Sequence, residues 1–162
     1  MHTRVPCAVA ASDGVWEVFH APHMARMSNP VGVNFKPVRY VIKGNQIRSD
    51  VQFAGPGGIS GWLCSAGVVR ASRDDAVEIV FDSFWTAENG GAPRDNPVAK
   101  DVANAGDRIV NSIGRLAFLS SFAVFPVYFF DRQAGICIFE FPPLNSYIAA
   151  KLVGPAPDDI TF

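Results

Sequence analysis

Apolar and polar residues alternate along most of the chain, the period of two expected of strands with one buried face. Residues 46–53 show it most cleanly. Ile47, Ser49, Val51 and Phe53 fall on one side, and Gln46, Arg48, Asp50 and Gln52 on the other, which predicts a dry face and a wet one. Residues 15–20, 38–43, 59–69, 76–86, 123–130 and 135–141 read as further strands, rich in β-branched and aromatic residues. Short polar turns at 43–46, 72–75 and 131–134 join several of them, and the Pro/Gly-containing stretches 21–37 and 88–97 are longer loops. Gly55-Pro56-Gly57-Gly58 interrupts the chain, and Gly61 and Gly67 mark bends that let a sheet curl.

After Pro97 the period changes. Val98, Val102, Ala105, Ile109, Ile113 and Leu116 recur at helical spacing, with Asp101, Asn104, Arg108, Asn111 and Arg115 opposite. This predicts an amphipathic helix near 97–117, weakened by Gly106 and Gly114 and capped by Asn96 with Pro97 behind it. A strand over 108–119 is the alternative reading. Residues 144–152 read as a short C-terminal helix after Pro142-Pro143. These seven strands in up-and-down order predict a mainly β, closed antiparallel barrel of about eight strands over 14–153. Residues 1–13 form a flexible segment or a targeting remnant, and 154–162 a loose tail. The aromatics Trp16, Tyr40, Phe53, Trp62, Phe81 and Trp85 are spaced through the strands to line a barrel interior just wide enough for side chains or one small ligand.

Composition narrows the partners. Hydrophobic residues make up 49% and charged residues only 18%, with 13 phenylalanines, so the domain encloses a cavity or offers an apolar surface. The net charge of −1 and the lack of any Lys/Arg run remove the electrostatic basis for nucleic-acid binding. No apolar stretch reaches the length of a membrane helix, which makes the expected protein peripheral at most. Cys7, Cys64 and Cys137 are widely spaced and odd in number, which points to reduced thiols in a cytosolic or stromal compartment.

The opening Gly14-Val15-Trp16 matches the Gly-any-Trp start of lipocalin barrels. The longer run Trp16-Glu17-Val18-Phe19-His20-Ala21-Pro22-His23 is followed by Pro37-Val38-Arg39-Tyr40 and Gly61-Trp62-Leu63-Cys64-Ser65-Ala66-Gly67. Then come Phe81-Asp82-Ser83-Phe84-Trp85, Ile113-Gly114-Arg115-Leu116-Ala117-Phe118 and Phe125-Pro126-Val127-Tyr128-Phe129-Phe130-Asp131. Together these resemble the plastid lipid-associated (fibrillin) family in its divergent algal and plant branches. The chain departs from that family's acidic-Leu-Arg-Ile ending, where Asp131-Arg132-Gln133-Ala134-Gly135-Ile136 stands instead. The resemblance implies a lipocalin-like barrel in the chloroplast, in the stroma or at thylakoids or lipid bodies. Such a barrel would bind a lipid, quinone, carotenoid or chlorophyll, need no cofactor and carry no catalytic residues.

The remaining motifs read as structural. His20 and His23 lack further ligands for a metal, apart from the distant His2. Cys137 and Cys64 sit in apolar strand contexts, as core thiols would. Glu78 and Asp82, four residues apart on a strand, are roughly 13 Å from each other, too far for an acid/base pair. Arg115 either packs over an aromatic at the barrel end or lies on the surface. Two functions follow: a non-enzymatic carrier of an apolar ligand, or an assembly subunit that docks on a photosynthetic membrane complex such as a photosystem.

Overall fold

The computed structural model describes residues 9–24, 32–88, 93–117 and 123–162. Cys7, His2 and most of the N-terminal segment lie outside them, as do parts of the loops at 21–37 and 88–97. Eight strands run in simple sequence order: β1 (Gly14–His20), β2 (Asn34–Lys43), β3 (Gln46–Ala54), β4 (Ser60–Arg73), β5 (Ala76–Glu88), β6 (Val124–Asp131), β7 (Ile136–Phe141) and β8 (Ser146–Gly154). Each pairs antiparallel with the next, and β8 returns to pair with β1, giving a closed, lipocalin-like up-and-down barrel. Closure gives every strand a partner on both sides, although β5 and β6 meet over only a short stretch.

The β2–β3 turn needs Gly44, whose φ of +62° lies in the left-handed region, and Asp13 Oδ1 accepts its N–H at 2.8 Å. Gly67 serves the barrel's curvature. A Cβ there would stand 1.9 Å from the Val80 carbonyl oxygen, at the bulge where the β4–β5 register shifts.

Two predicted elements differ from what forms. Residues 144–152 are not a helix. Pro142–Leu144 makes one 3-10 turn, Asn145 reverses the chain at φ +45°, and Ser146–Gly154 becomes β8. The helix-forming Ala149, Ala150 and Lys151 suggested a helix, but the buried Ile148 and Ala150 follow a period of two, and pairing on both sides overrides propensity. The helix near 97–117 is shorter. Asn96 Oδ1 does cap a turn, accepting the N–H groups of Val98 and Ala99, but that turn ends at Asp101, whose φ is +52°. Helix α1 (Ala105–Ala117) then starts afresh at Asn104. Asn104 Oδ1 accepts the Asp107 N–H at 2.9 Å and Asp107 Oδ2 accepts the Asn104 N–H at 3.2 Å, a reciprocal capping box.

Helix α1 completes the wall at a thin seam. β5 and β6 pair only over Ala76–Glu78 and Val124–Pro126. Beyond that, the Phe84 N–H donates to Asn111 Oδ1 on α1 at 2.9 Å, and Arg94 Nε donates to the Thr86 carbonyl at 2.8 Å. Gly114 lies so close to the Phe84 ring that a Cβ would fall 2.2 Å from it.

The outer face of β3 is not wet as predicted. Arg48 and Asp50 are 3% and 4% exposed. Arg48 Nε donates to Asp50 Oδ1 at 2.9 Å, and its two terminal nitrogens donate to the carbonyls of Thr161 (3.2 Å), Pro93 (3.4 Å) and Arg94 (2.8 Å). The guanidinium carbon lies 5.1 Å from the centroid of Trp85, and Phe162 packs against the same cluster with Cys64, Ala66 and Trp62. The stretch after Gly154, expected to be loose, is therefore docked on the barrel, also through Lys43 and Asp158.

Arg48→Met leaves Asp50 buried without its counter-charge and should cost about 3–5 kcal/mol. A urea titration measures this, and Arg48→Lys should not restore stability, because an ammonium lacks the fork that reaches four acceptors. Gly114→Ala adds about 1 kcal/mol of helix propensity but collides with Phe84. The collision should win, so that the variant melts below the natural protein.

Candidate functional site: an apolar cavity under a short N-terminal lid

The barrel interior is built from the inward row of each strand. Trp16, Val18, Val38, Ile47, Val69, Ile79, Phe125, Phe139, Ile148 and Ala150 form its buried core. The register orders them along the axis. The end near His20, Val124 and Ser146 is filled. There Phe125 stacks on Phe141 at 6.2 Å and meets Phe139 edge-on at 6.1 Å. His23 lies flat against Phe141 at 4.8 Å with Nδ1 3.2 Å from Ser146 Oγ, and Ala21 and Met24 pack beside it.

A cavity of about 70 Å³ remains toward the opposite end. Trp16, Tyr40, Ile47, Ile79, Phe130 and Phe139 form much of its wall, and Val9 and Ser12 reach over it from the segment before β1. That short lid is tied down by three hydrogen bonds. Ser12 donates from both Oγ (2.7 Å) and its backbone N–H (3.2 Å) to the Val9 carbonyl, and Trp16 Nε1 donates to the Ser12 carbonyl at 2.7 Å. Trp16 in turn leans on Phe130 at 5.8 Å, and Tyr40 meets Phe139 edge-on at 6.3 Å.

The lining has almost no charge chemistry. Burial pushes the Tyr40 phenol up to about 12 and the Cys137 thiol up to about 12, so both are neutral at physiological pH. Burial, reinforced by Asp50, pushes the Cys64 thiol higher still. Neither cysteine is a ready nucleophile. His20 lies exposed at the strand end while His23 is buried, and among the described residues no three His, Cys, Asp or Glu side chains gather to hold a metal ion. Glu78 pairs across the strands with Arg70, which holds its carboxyl below the usual range.

Of the six aromatics predicted to line the interior, Trp16 and Tyr40 line the cavity. Phe81 packs on the core without reaching the cavity wall. Phe53 shares the inward parity but sits at the filled end, its ring over Gly61. Trp62 and Trp85 belong to the outer face. They pair with Gln52 and Cys64 on the side that carries Arg48 and Asp50, and Trp85 donates from Nε1 to the Arg94 carbonyl at 3.2 Å. The bulge between Ala66 and Gly67 shifts the β5 alternation, so Phe81 and Trp85 cannot share a face despite their even spacing. Sequence reasoning missed Phe130, Phe139 and the lid. The alternation of 137, 139 and 141 signals Phe139, whereas nothing in the sequence signals the lid. Arg115 lies exposed on α1, and Arg48 stacks on Trp85.

Tyr40 and Cys137 ionise near 10 and 9 when unfolded and near 12 when folded. The folded state therefore holds their protons more tightly, and stability present below pH 9 should fall as pH rises toward 12. Urea midpoints across that range measure the slope, and Tyr40→Phe and Cys137→Ala should each flatten it.

Comparison with protein-family models, with curated proteins and with solved structures gives no match to this chain.

Proposed function

We propose that the protein is a non-enzymatic lipocalin-like carrier that holds one slender apolar chain, acyl or isoprenoid, in its barrel. The supporting observation is the cavity itself, an apolar space at one end of a closed barrel under a lid held by a few hydrogen bonds. Pockets for drug-sized ligands run to about 300–1,000 Å³. A cavity of about 70 Å³ favours the thin end of a lipid or prenylquinone tail over a chlorophyll macrocycle or a whole carotenoid. Release of residues 9–12 would lengthen the cavity along the barrel axis. The resemblance of the sequence to plastid lipid-associated proteins supports a chloroplast setting at thylakoids or lipid bodies, with the protein peripheral to the membrane. Among the described residues no helix is long and apolar enough to cross one.

A second reading, an assembly subunit docked on a membrane complex such as a photosystem, draws on the outer face of β6–β8. Tyr128, Phe129 and Tyr147 are exposed there, with Tyr128 and Tyr147 edge-on at 5.1 Å and Tyr128 Oη donating to Glu140 Oε2 at 2.8 Å. On this reading the protein co-migrates with a large complex in native gels.

Mass spectrometry of solvent extracts from the purified protein distinguishes the two. A carrier yields an acyl or prenyl compound, its delipidated form melts higher with added oleate, and Ala150→Leu, which fills the cavity, abolishes both effects. An empty protein that no lipid or quinone stabilises, or an Ala150→Leu variant that retains the same ligand, overturns the carrier reading.

A further inference from the structure

Helix α1 is mounted inside out. In a domain of this kind the apolar stripe of a surface helix faces the core. Here Ile109 and Ile113, one turn apart, are 60% and 62% exposed, and Val102 in the approach to the helix is 70% exposed. The polar groups face the protein instead. Asp107 is buried and paired with Arg94, Asn111 accepts the Phe84 N–H, and Gly114 abuts the Phe84 ring. These contacts fix the rotation of the helix. Turning the isoleucines inward would break the capping box, the Arg94–Asp107 pair and the bond to the β5 edge, and would drive a side chain into Phe84.

Roughly a third of a turn from the stripe, the exposed charges of α1 itself are of one sign. Arg108 and Arg115, seven residues apart and so on the same side of the helix, are both exposed, and among the described residues neither pairs with a carboxylate. The one acidic residue of the helix, Asp107, points inward. An aliphatic stripe with arginines on the polar side, whose stems can lie along an apolar layer while their heads reach anions, is the pattern of a helix lying in a membrane interface. Among the described residues the stripe is aliphatic, without the aromatic anchors that dominate protein–protein hot spots.

The geometry points to α1 as a membrane-docking element: Ile109, Ile113 and Val102 enter the acyl boundary of an anionic lipid bilayer, and Arg108 and Arg115 contact its headgroup phosphates. The inference rests on the peripheral-membrane part of the function proposed above and not on a ligand in the barrel. Membrane docking and ligand retention can therefore fail separately.

Flotation of the full chain with lipid vesicles tests it. One set is phosphatidylcholine alone, the other contains about one-third phosphatidylglycerol. The protein should float with the anionic set and be released by roughly 0.5 M salt to the level seen with neutral vesicles. I109S/I113S should lower binding about tenfold or more, and R108Q/R115Q about tenfold on anionic vesicles only. Because these positions are exposed, the variants should keep the circular dichroism spectrum, the melting temperature and any extracted ligand. As an independent readout, I113W should show a blue-shifted emission increment on anionic vesicles. A natural protein that stays at the bottom of both gradients overturns the assignment, and so does an I109S/I113S variant that floats as well as the natural protein. Dimerisation, or capture by a detergent-solubilised complex, that needs Ile109 and Ile113 without any vesicle binding also overturns it and gives the stripe to a protein partner.

Discussion

Arg48 is where the outer parts of the molecule are joined. Its guanidinium contacts a carboxylate on its own strand, two carbonyls of the 93–94 loop and one of the C-terminal stretch, while its face lies against Trp85. A buried cation is tolerated only when its charge is matched and its donors are satisfied. The surrounding chain is thus held to one arrangement. From there the connection continues through Arg94, which takes its carbonyl to Arg48 and Trp85, its side chain to the Thr86 carbonyl and to Asp107, and so sets the N-terminus of α1. The placement of the helix that closes the β5 wall is traceable to one arginine two strands away.

The interior obeys a different rule. It has no ion pair among its described residues, and its specificity is one of shape. Phe125, Phe141 and Phe53, with the His23 ring, fill one end, and an apolar space of about 70 Å³ remains at the other. Whatever occupies that space must be thin and apolar, and the barrel's own side chains, not a constellation of polar groups, set its length. The two halves of the molecule thus divide the physics: electrostatics organises the outside, and packing organises the inside.

Much of the barrel was legible because alternation is a local signal. The strands from β1 to β7, the Gly44 turn and the bend at Gly67 all follow from residue types at fixed positions. What was not legible depends on tertiary partners. Residues 48 and 50 look like a solvated face until the tail and the 93–94 loop cover them. Trp85 looks like a cavity wall until a bulge three residues earlier changes its side. The α1 stripe lies at the residues the spacing marks, but its outward direction is not legible, because periodicity gives the angle of a stripe about its axis and says nothing of which side meets the protein. β8 was hidden by alanines whose helical preference is real but weak beside two flanking strands. At the site, Trp16 and Tyr40 line the cavity, whereas the lid has no pattern to read.

The pairing of β8 with β1 carries a consequence for the order in which the molecule forms. Every other strand joins its sequence neighbour, so the β2–β5 meander can assemble from short-range hairpins as the chain emerges. The β1–β8 seam is the longest-range pairing in the barrel. Until residues 146–154 have left the ribosome, the incomplete sheet presents two unpaired edges and an open aromatic interior to the cell. During synthesis, that makes the unfinished barrel the species most in need of a chaperone.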